Sequence, residues 1–450
     1  MHFIGIGGAG MSAIARILLA KGIPVSGSDI KESTTTDDLR KLGAKVLIEH
    51  RPDNITEDIS EVIISTAIFP DNVELMQARQ AGKNILHRSE KLAEIMTGME
   101  SIAVAGAHGK TTTTGMAALM LTGLGLDPFV LVGGDMQELA GNARIGKSNY
   151  LVTEADESDG TFLRLFPKMA IVTNIENDHL DHYGTVDKII SAFRTFLRQI
   201  PDDGLAVLCA DDAQLMTMCC EVSAKVLTFG LTKEADIYAD NITFNGTNSV
   251  CDVYIRREKV CTLELSIPGV HNITNALAVL ALAYHLGQDL QQAAETLKHF
   301  KGVNRRFQIH FADEDYVVVD DYAHHPTEIK ATLKATKNAT AKRVVAVFQP
   351  HRFTRTKQLY KDFGKAFVDA DIVIITEIYS AGEKPIAGVT AHLIVDEIEK
   401  SGTRVIYAPL FDTVYEHILA IAEPGDMIIT IGAGNIWQAG VQVALRLENR

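Results

Sequence analysis

Short apolar runs alternate with amphipathic, helix-spaced stretches through most of this 450-residue chain. In the first hundred residues the runs fall at 2–6, 25–28, 46–48, 62–66 and 85–87, with helical texture at 11–21 and near 39–42. Strand-then-helix alternation predicts parallel sheets covered by crossover helices. A second series begins at Ile102 and continues through strands at 150–153, 169–173 and 205–210. Between Asp236 and Pro268 the period shortens to two, with an Asn245-Gly246 turn and a second turn near Glu258-Lys259, which predicts antiparallel hairpins. After Gly302 the alternation resumes with strands at 316–319, 344–348, 372–376, 405–407 and 427–431. The expectation is an α/β chain of three domains, 1–98, 99–301 and 302–450, because 450 residues exceed what one core holds.

Composition narrows the class. With 46% hydrophobic and 22% charged residues the chain reads as globular, and its net charge of -14 argues against a nucleic-acid partner. The five cysteines, Cys209, Cys219, Cys220, Cys251 and Cys261, form no CxxC pair, so a reduced, cytoplasmic setting is expected. The N-terminus enters a strand and glycine turn at once, without the pattern of a signal peptide. The most apolar stretch, 267–288, contains His271, Asn272, Asn275 and His285 and reads as a buried helix, so no membrane insertion is expected. Monomer and homodimer are not distinguished.

Candidate chemistry sits where strands end. After the strand at Ile102 comes Gly106-Ala107-His108-Gly109-Lys110-Thr111-Thr112, a shortened form of the phosphate loop, with Val104 where the longer form has glycine. The glycines admit a phosphate to the backbone, the new helix presents N–H groups, Lys110 adds charge, and Thr111 can ligate magnesium. An ATP-consuming reaction is implied. Earlier, Gly5-Ile-Gly7-Gly8-Ala9-Gly10 follows the first strand, with Asp29 closing the next. That spacing predicts either a diphosphate site, for a dinucleotide or a nucleotide-sugar, or a tight turn with close strand–helix packing.

Glu154-Ala-Asp156-Glu157-Ser158-Asp159 closes one strand, and Thr173-Asn174-Ile-Glu176-Asn-Asp178-His179-Leu-Asp181-His182 another. Carboxylates beside a phosphate loop predict a magnesium site, with Glu154 as first ligand and His179 preferred over a zinc centre; Asp156, Glu157 and Asp159 read equally well as a solvated loop. His271-Asn272 opens a helix, and Asn272 reads first as a cap. Arg305-Arg306 either grips a phosphate or decorates a linker. Asp320-Asp321-Tyr322-Ala-His324-His325-Pro326 and Gln349-Pro-His351-Arg352-Phe-Thr-Arg355 follow two further strands and suit an incoming carboxylate and amine. Gly432-Ala-Gly434-Asn435 is either a phosphate-facing turn or a packing turn.

Taken in order, FIGIGGAGMS, GAHGKTTT, EADESDGTFL, IVTNIENDHLDHYG, PGVHNITNALA, NRRF, DDYAHHPTE and QPHRFTRT make the chain resemble the Mur ligases of peptidoglycan synthesis along its whole length, in their alanine-adding branch. The resemblance implies a Rossmann-like N-terminal domain for a UDP-sugar, a P-loop-like central ATPase carrying the added antiparallel strands, and a Rossmann-like C-terminal domain for an amino acid. It implies ATP and Mg2+, with UDP-N-acetylmuramate and L-alanine as substrates. Gly7, Gly8, Ala9, Gly10, Ser28, Asp29, Ser65 and Thr66 would face the UDP-sugar. Gly106 through Thr112, with Asn272, Arg306 and Asp321, would handle ATP, and Thr111, Glu154 and His179 the metal. Tyr322, His324, Arg352 and Arg355 would surround the amino acid, with Lys110, Arg306 and His324 catalytic and His324 the candidate base. Two departures stand out: Arg194 replaces the lysine that later-acting members carbamylate, and Ala107 replaces the threonine usual in this branch. A sibling ligase that attaches whole peptides, a dehydrogenase built on the first glycine loop, and a nucleotide-gated binding protein that hydrolyses ATP without ligating are the alternatives.

Overall fold

A computed structural model describes residues 1–136, 141–339 and 343–450. Three sheets organise it into a three-domain α/β fold. The first holds β1 (His2–Ile4), β2 (Ser26–Asp29), β3 (Lys45–Ile48), β4 (Glu61–Ile64) and β5 (Asn84–His87), all parallel, in the order β3-β2-β1-β4-β5. The order reverses at β1, which opens a crevice where the glycine loop leaves that strand. Gly27 fits there because a Cβ would lie 2.7 Å from the Phe3 carbonyl oxygen.

The central sheet has ten strands: β6 (Glu100–Ala105), β7 (Phe129–Met136), β8 (Gly141–Arg144), β9 (Tyr150–Glu154), β10 (Met169–Val172), β11 (Leu205–Cys209), β12 (Lys225–Gly230), β13 (Ile237–Asn245), β14 (Asn248–Ile255) and β15 (Glu258–Leu265). Their order is β15-β14-β13-β12-β11-β10-β6-β9-β7-β8, so β6 stands between β9 and β10, and the ends of all three strands meet. The hairpin expected near Glu258 turns two residues earlier, at Arg256 and Arg257, with φ of 47° and 73°. Two consecutive left-handed residues match the twist of a tight hairpin, a conformation usually reserved for Asn-Gly.

The third sheet contains β16 (Gln308–Ala312), β17 (Tyr316–Asp321), β18 (Val344–Phe348), β19 (Ile372–Ile375), β20 (Arg404–Tyr407) and β21 (Asp426–Ile431), in the order β16-β17-β21-β18-β19-β20. Only β16 runs antiparallel, on the edge. Phe348, Ile374 and Ile429 are fully buried, as expected for a sheet covered on both faces.

By contacts the chain forms two compact units: residues 1–238 with 255–258 and 276–296, and residues 239–254 with 259–275 and 297–450. The apolar stretch at 267–288 forms the helix Val270–His285, with Ala276 through Ala283 essentially buried. No helix among the described residues is long and apolar enough to cross a membrane.

Candidate active site

In the first unit, β6 delivers the chain to Gly106 at φ 127°, and Gly109 takes φ 85° before the helix Lys110–Gly123. The loop is locked by the end of β10: Asn174 Oδ1 accepts from His108 N at 2.9 Å, while Thr173 Oγ1 donates to the His108 carbonyl at 2.6 Å. A Cβ at Gly106 would lie 2.1 Å from Thr173 Oγ1, so only glycine fits. The threonine row divides: Thr111 stands at the loop, whereas Thr113 and Thr114 are fully buried, with hydroxyls that have no partner among the described residues.

Lys110 Nζ donates to the Gly106 carbonyl at 2.7 Å and lies 2.9 Å from Glu157 Oε1. Burial works against its charge, but Glu157 and Asp156 outweigh burial and raise its pKa. Glu157 is 2% exposed; burial opposes ionisation, yet Lys110 and His179 hold its pKa below the ordinary value. His179, at φ 59°, brings Nε2 to 3.6 Å from Glu157 Oε1. Its own pKa is raised, since Glu157 and Asp178 more than offset burial. Glu154 accepts from Gly133 N at 2.6 Å, and burial leaves its pKa above normal.

Of the acidic loop, then, Glu157 joins Glu154 at the phosphate loop. Asp159 instead accepts from Thr66 Oγ1 at 3.0 Å and from Thr161. The spacing could not rank these carboxylates, because the turn after β9 decides which of them points inward. His182 packs edge-on against Tyr183, a structural placement. The side chain of Asp181 lies outside the described residues.

A cavity of about 510 Å³ links this site to the first glycine loop. Its lining includes Gly8, Gly10, Ser65 and Thr66 at one end and Glu154 and Asp156 at the other. Gly7 N donates to Asp29 Oδ2 at 2.8 Å, so Asp29 pins the loop. Ser28 is fully buried and bonded to Glu74, beneath the surface it was expected to line. Arg88 is the one cation in the cavity lining among the described residues; its Nη1 lies 3.1 Å from where a Gly10 Cβ would stand. Sequence reasoning missed it, since nothing local distinguishes an arginine at the start of the helix Arg88–Met96.

In the second unit the ends of β17, β21, β18 and β19 lie side by side. Asp321 ends β17 and accepts from Phe307 N and Ala323 N, both at 2.8 Å; burial pushes its carboxyl up to about 6. The two arginines separate cleanly. Arg305 bonds Asp320 and the Gly432 and Gly434 carbonyls, which makes Gly432-Ala-Gly434-Asn435 a packing turn. Arg306 lies 3.3 Å from Glu328 Oε1, with its guanidinium 5.2 Å from the Tyr322 ring centre. Asn272 does not cap its helix; its amide donates to the Pro268 carbonyl at 2.7 Å from a buried position.

His324 Nδ1 is 3.1 Å from the Tyr322 carbonyl, which leaves Nε2 as its acceptor. Burial, with help from Arg355, pushes its pKa down to about 3, so the imidazole is neutral at physiological pH. A base that weak is poorly matched to the far more basic ammonium of a free amino acid. The geometry suits accepting a hydrogen bond better than taking a proton. Arg355 Nη1 stands 3.3 Å from His351 Nδ1, and Arg352 holds φ 70° ahead of the helix Phe353–Ala366.

Residues 1–99, 104–283 and 305–434 match family models described as Mur ligase family, catalytic domain; Mur ligase middle domain; and Mur ligase, glutamate ligase domain. The chain is 50% identical over 450 residues to a UDP-N-acetylmuramate--L-alanine ligase of Pelotomaculum thermopropionicum, covering 100% of this chain and 97% of that protein. The chain belongs to the Mur ligase family.

The crystal structure of a UDP-N-acetylmuramate-alanine ligase from Thermotoga maritima superimposes on this Mur ligase with a TM-score of 0.83 at 33% identity, over 100% of this chain and 99% of that one. A murein peptide ligase from Psychrobacter arcticus gives 0.70 at 25% identity, over 100% and 98%. In this Mur ligase Arg194, the residue that departs from later-acting members, pairs with Glu221 at 2.9 Å.

Proposed function

We propose that this Mur ligase joins L-alanine to the lactyl carboxylate of UDP-N-acetylmuramate, converting ATP to ADP and phosphate. The end-to-end 50% identity to a ligase of that name carries the reading. The two clusters supply what the chemistry needs. A carboxylate is a poor electrophile, so its oxygen attacks the γ-phosphorus, the bond to ADP breaks, and an acyl phosphate forms. The amine, having given its ammonium proton to solvent, then attacks the acyl carbon, and its second N–H proton leaves with the phosphate as hydrogen phosphate. Neither step needs a covalent bond to the protein; positioning and charge neutralisation suffice.

Gly106 through Thr112 would cradle the ATP phosphates, with Lys110 as the point charge. Asn272, Arg306 and Asp321 are proposed for nucleotide handling. Thr111, Glu154 and His179, joined by Glu157, would hold magnesium, and the donor set fits: Glu157 Oε2 is buried and has no partner among the described residues. When bound, the ion neutralises charge on the phosphate oxygens. Gly7, Gly8, Ala9, Gly10, Asp29, Ser65, Thr66 and Arg88 would hold the UDP-sugar. Tyr322, His324, Arg352 and Arg355 would receive the amino acid, with His324 accepting a hydrogen bond from the amine. We assign residues 1–98 to the UDP-sugar, 99–301 to ATP and 302–450 to the amino acid, and place the reaction in the cytoplasm.

The test is direct. Purified protein with ATP, magnesium, UDP-N-acetylmuramate and L-alanine should form ADP and the alanyl product, followed by mass. Product only with a peptide would instead support the murein-peptide reading that the Psychrobacter arcticus structure keeps open. ADP without any amide would overturn both.

A further inference from the structure

Tyr379 follows β19 and is 40% exposed as a residue, beside residues already assigned to the amino acid. Its placement is tightly determined. Tyr379 N donates to the Pro350 carbonyl at 2.8 Å, and Arg352 N donates to the Tyr379 carbonyl at 2.8 Å, which straps the loop after β19 to the loop after β18. The ring stacks on His351 with centres 5.7 Å apart and planes 10° from parallel, and His351 in turn lies 5.9 Å from His324. On the other side a Cβ at Gly434 would lie 2.8 Å from Tyr379 Cγ, so glycine there leaves room for the ring. Both imidazoles are neutral, since burial pushes His324 to about 3 and His351 to about 4. An uncharged aromatic row therefore stands beside the guanidinium of Arg355, and its outer member is a rigid, partly exposed ring held between His351 and Gly434. That arrangement suits a carboxylate held by arginine and a short apolar side chain lying against aromatic carbon.

We propose that Tyr379 is the wall of the acceptor site that limits the incoming amino acid to a side chain of about one carbon. The inference rests on the proposed acceptor role of this cluster and deepens it. A favourable contact alone distinguishes one methylene by only ~10- to 200-fold, so a strict preference needs a wall that excludes the larger group. Tyr379 is the large, exposed and rigidly held aromatic placed to be one.

The experiment compares kcat/KM for glycine, L-alanine and L-2-aminobutyrate, which adds one methylene, in the full-length enzyme and in Tyr379→Phe, Tyr379→Ala and Tyr379→Trp. Truncation to Ala should raise the aminobutyrate-to-alanine ratio at least ~10-fold, and Trp should lower the alanine-to-glycine ratio by ~10-fold, the scale of one methylene in a pocket. Phe should keep the parent ratios, because the wall is the ring and not the hydroxyl. A structural role alone would lower all three rates together and leave the ratios unmoved. Parent ratios in both active Ala and Trp variants would overturn the inference. Should the Ala variant fail to fold, Trp decides by itself. A parent enzyme that forms no amide with any amino acid would overturn the acceptor reading too, so the two failures are separable.

Discussion

Lys110 shows how much a single charge can be asked to do. Its ammonium is held by two loop carbonyls and by Glu157, ready for phosphates that would take over those contacts. Lys110→Ala should lower ligation turnover by at least ~10²-fold, the effect of losing one aimed electrostatic group, in a coupled ADP assay. Near-normal turnover would remove the phosphate-loop assignment. Asp321 offers a second handle, through pH. Its carboxyl stands near 6 in the folded chain against an ordinary 3.8, so the folded state binds that proton more tightly than the unfolded state. The resulting stability is fully present below about pH 4 and is lost as pH rises through 6. Asp321→Asn cannot titrate, so its stability relative to the parent should improve from pH 4 to about 6 and level off above that. Urea midpoints at four pH values would show this; a constant difference would refute it.

At the scale of elements, strand ends carry nearly all of the candidate chemistry, because an open parallel sheet gathers its connecting loops at one edge. This made the motifs legible in sequence: a strand is recognised by its apolar run, and polar residues just after it must stand at the ligand edge. Legibility stopped at direction. Arg305 and Arg306 are neighbours with identical chemistry, yet the left-handed backbone at Arg305, φ 64°, sends one to the Gly432 turn and the other to Glu328. Ser28 belongs to a correctly located strand but faces the buried side. The β14–β15 turn invites a test at this scale. Arg256 and Arg257 both occupy left-handed conformations that cost an L-residue about 1–2 kcal/mol each and glycine almost nothing. The double change Arg256→Asn with Arg257→Gly should raise the thermal midpoint by a few degrees in calorimetry. An unchanged or lower midpoint would show that the strain is compensated elsewhere.

For the whole molecule, stability and ligand binding are linked by mass action. A non-hydrolysable ATP analogue with magnesium, at 100 times its Kd, should add about 2.7 kcal/mol and raise the thermal midpoint by several degrees. The rise should be much smaller in Lys110→Ala, and an equal rise would place the nucleotide elsewhere. The sequence by itself determined the parallel alternation, the added hairpins and the places of the two glycine loops at strand ends, because these follow from short-range periodicity and from what glycine can do where a strand turns into a helix. Only the tertiary structure decided that Glu157 meets Lys110, that Arg88 faces Gly10, that His324 is too buried to be a strong base, and that Tyr379 stands over His351. Each depends on side chains from distant segments converging, and on the burial that convergence creates, which no local pattern encodes.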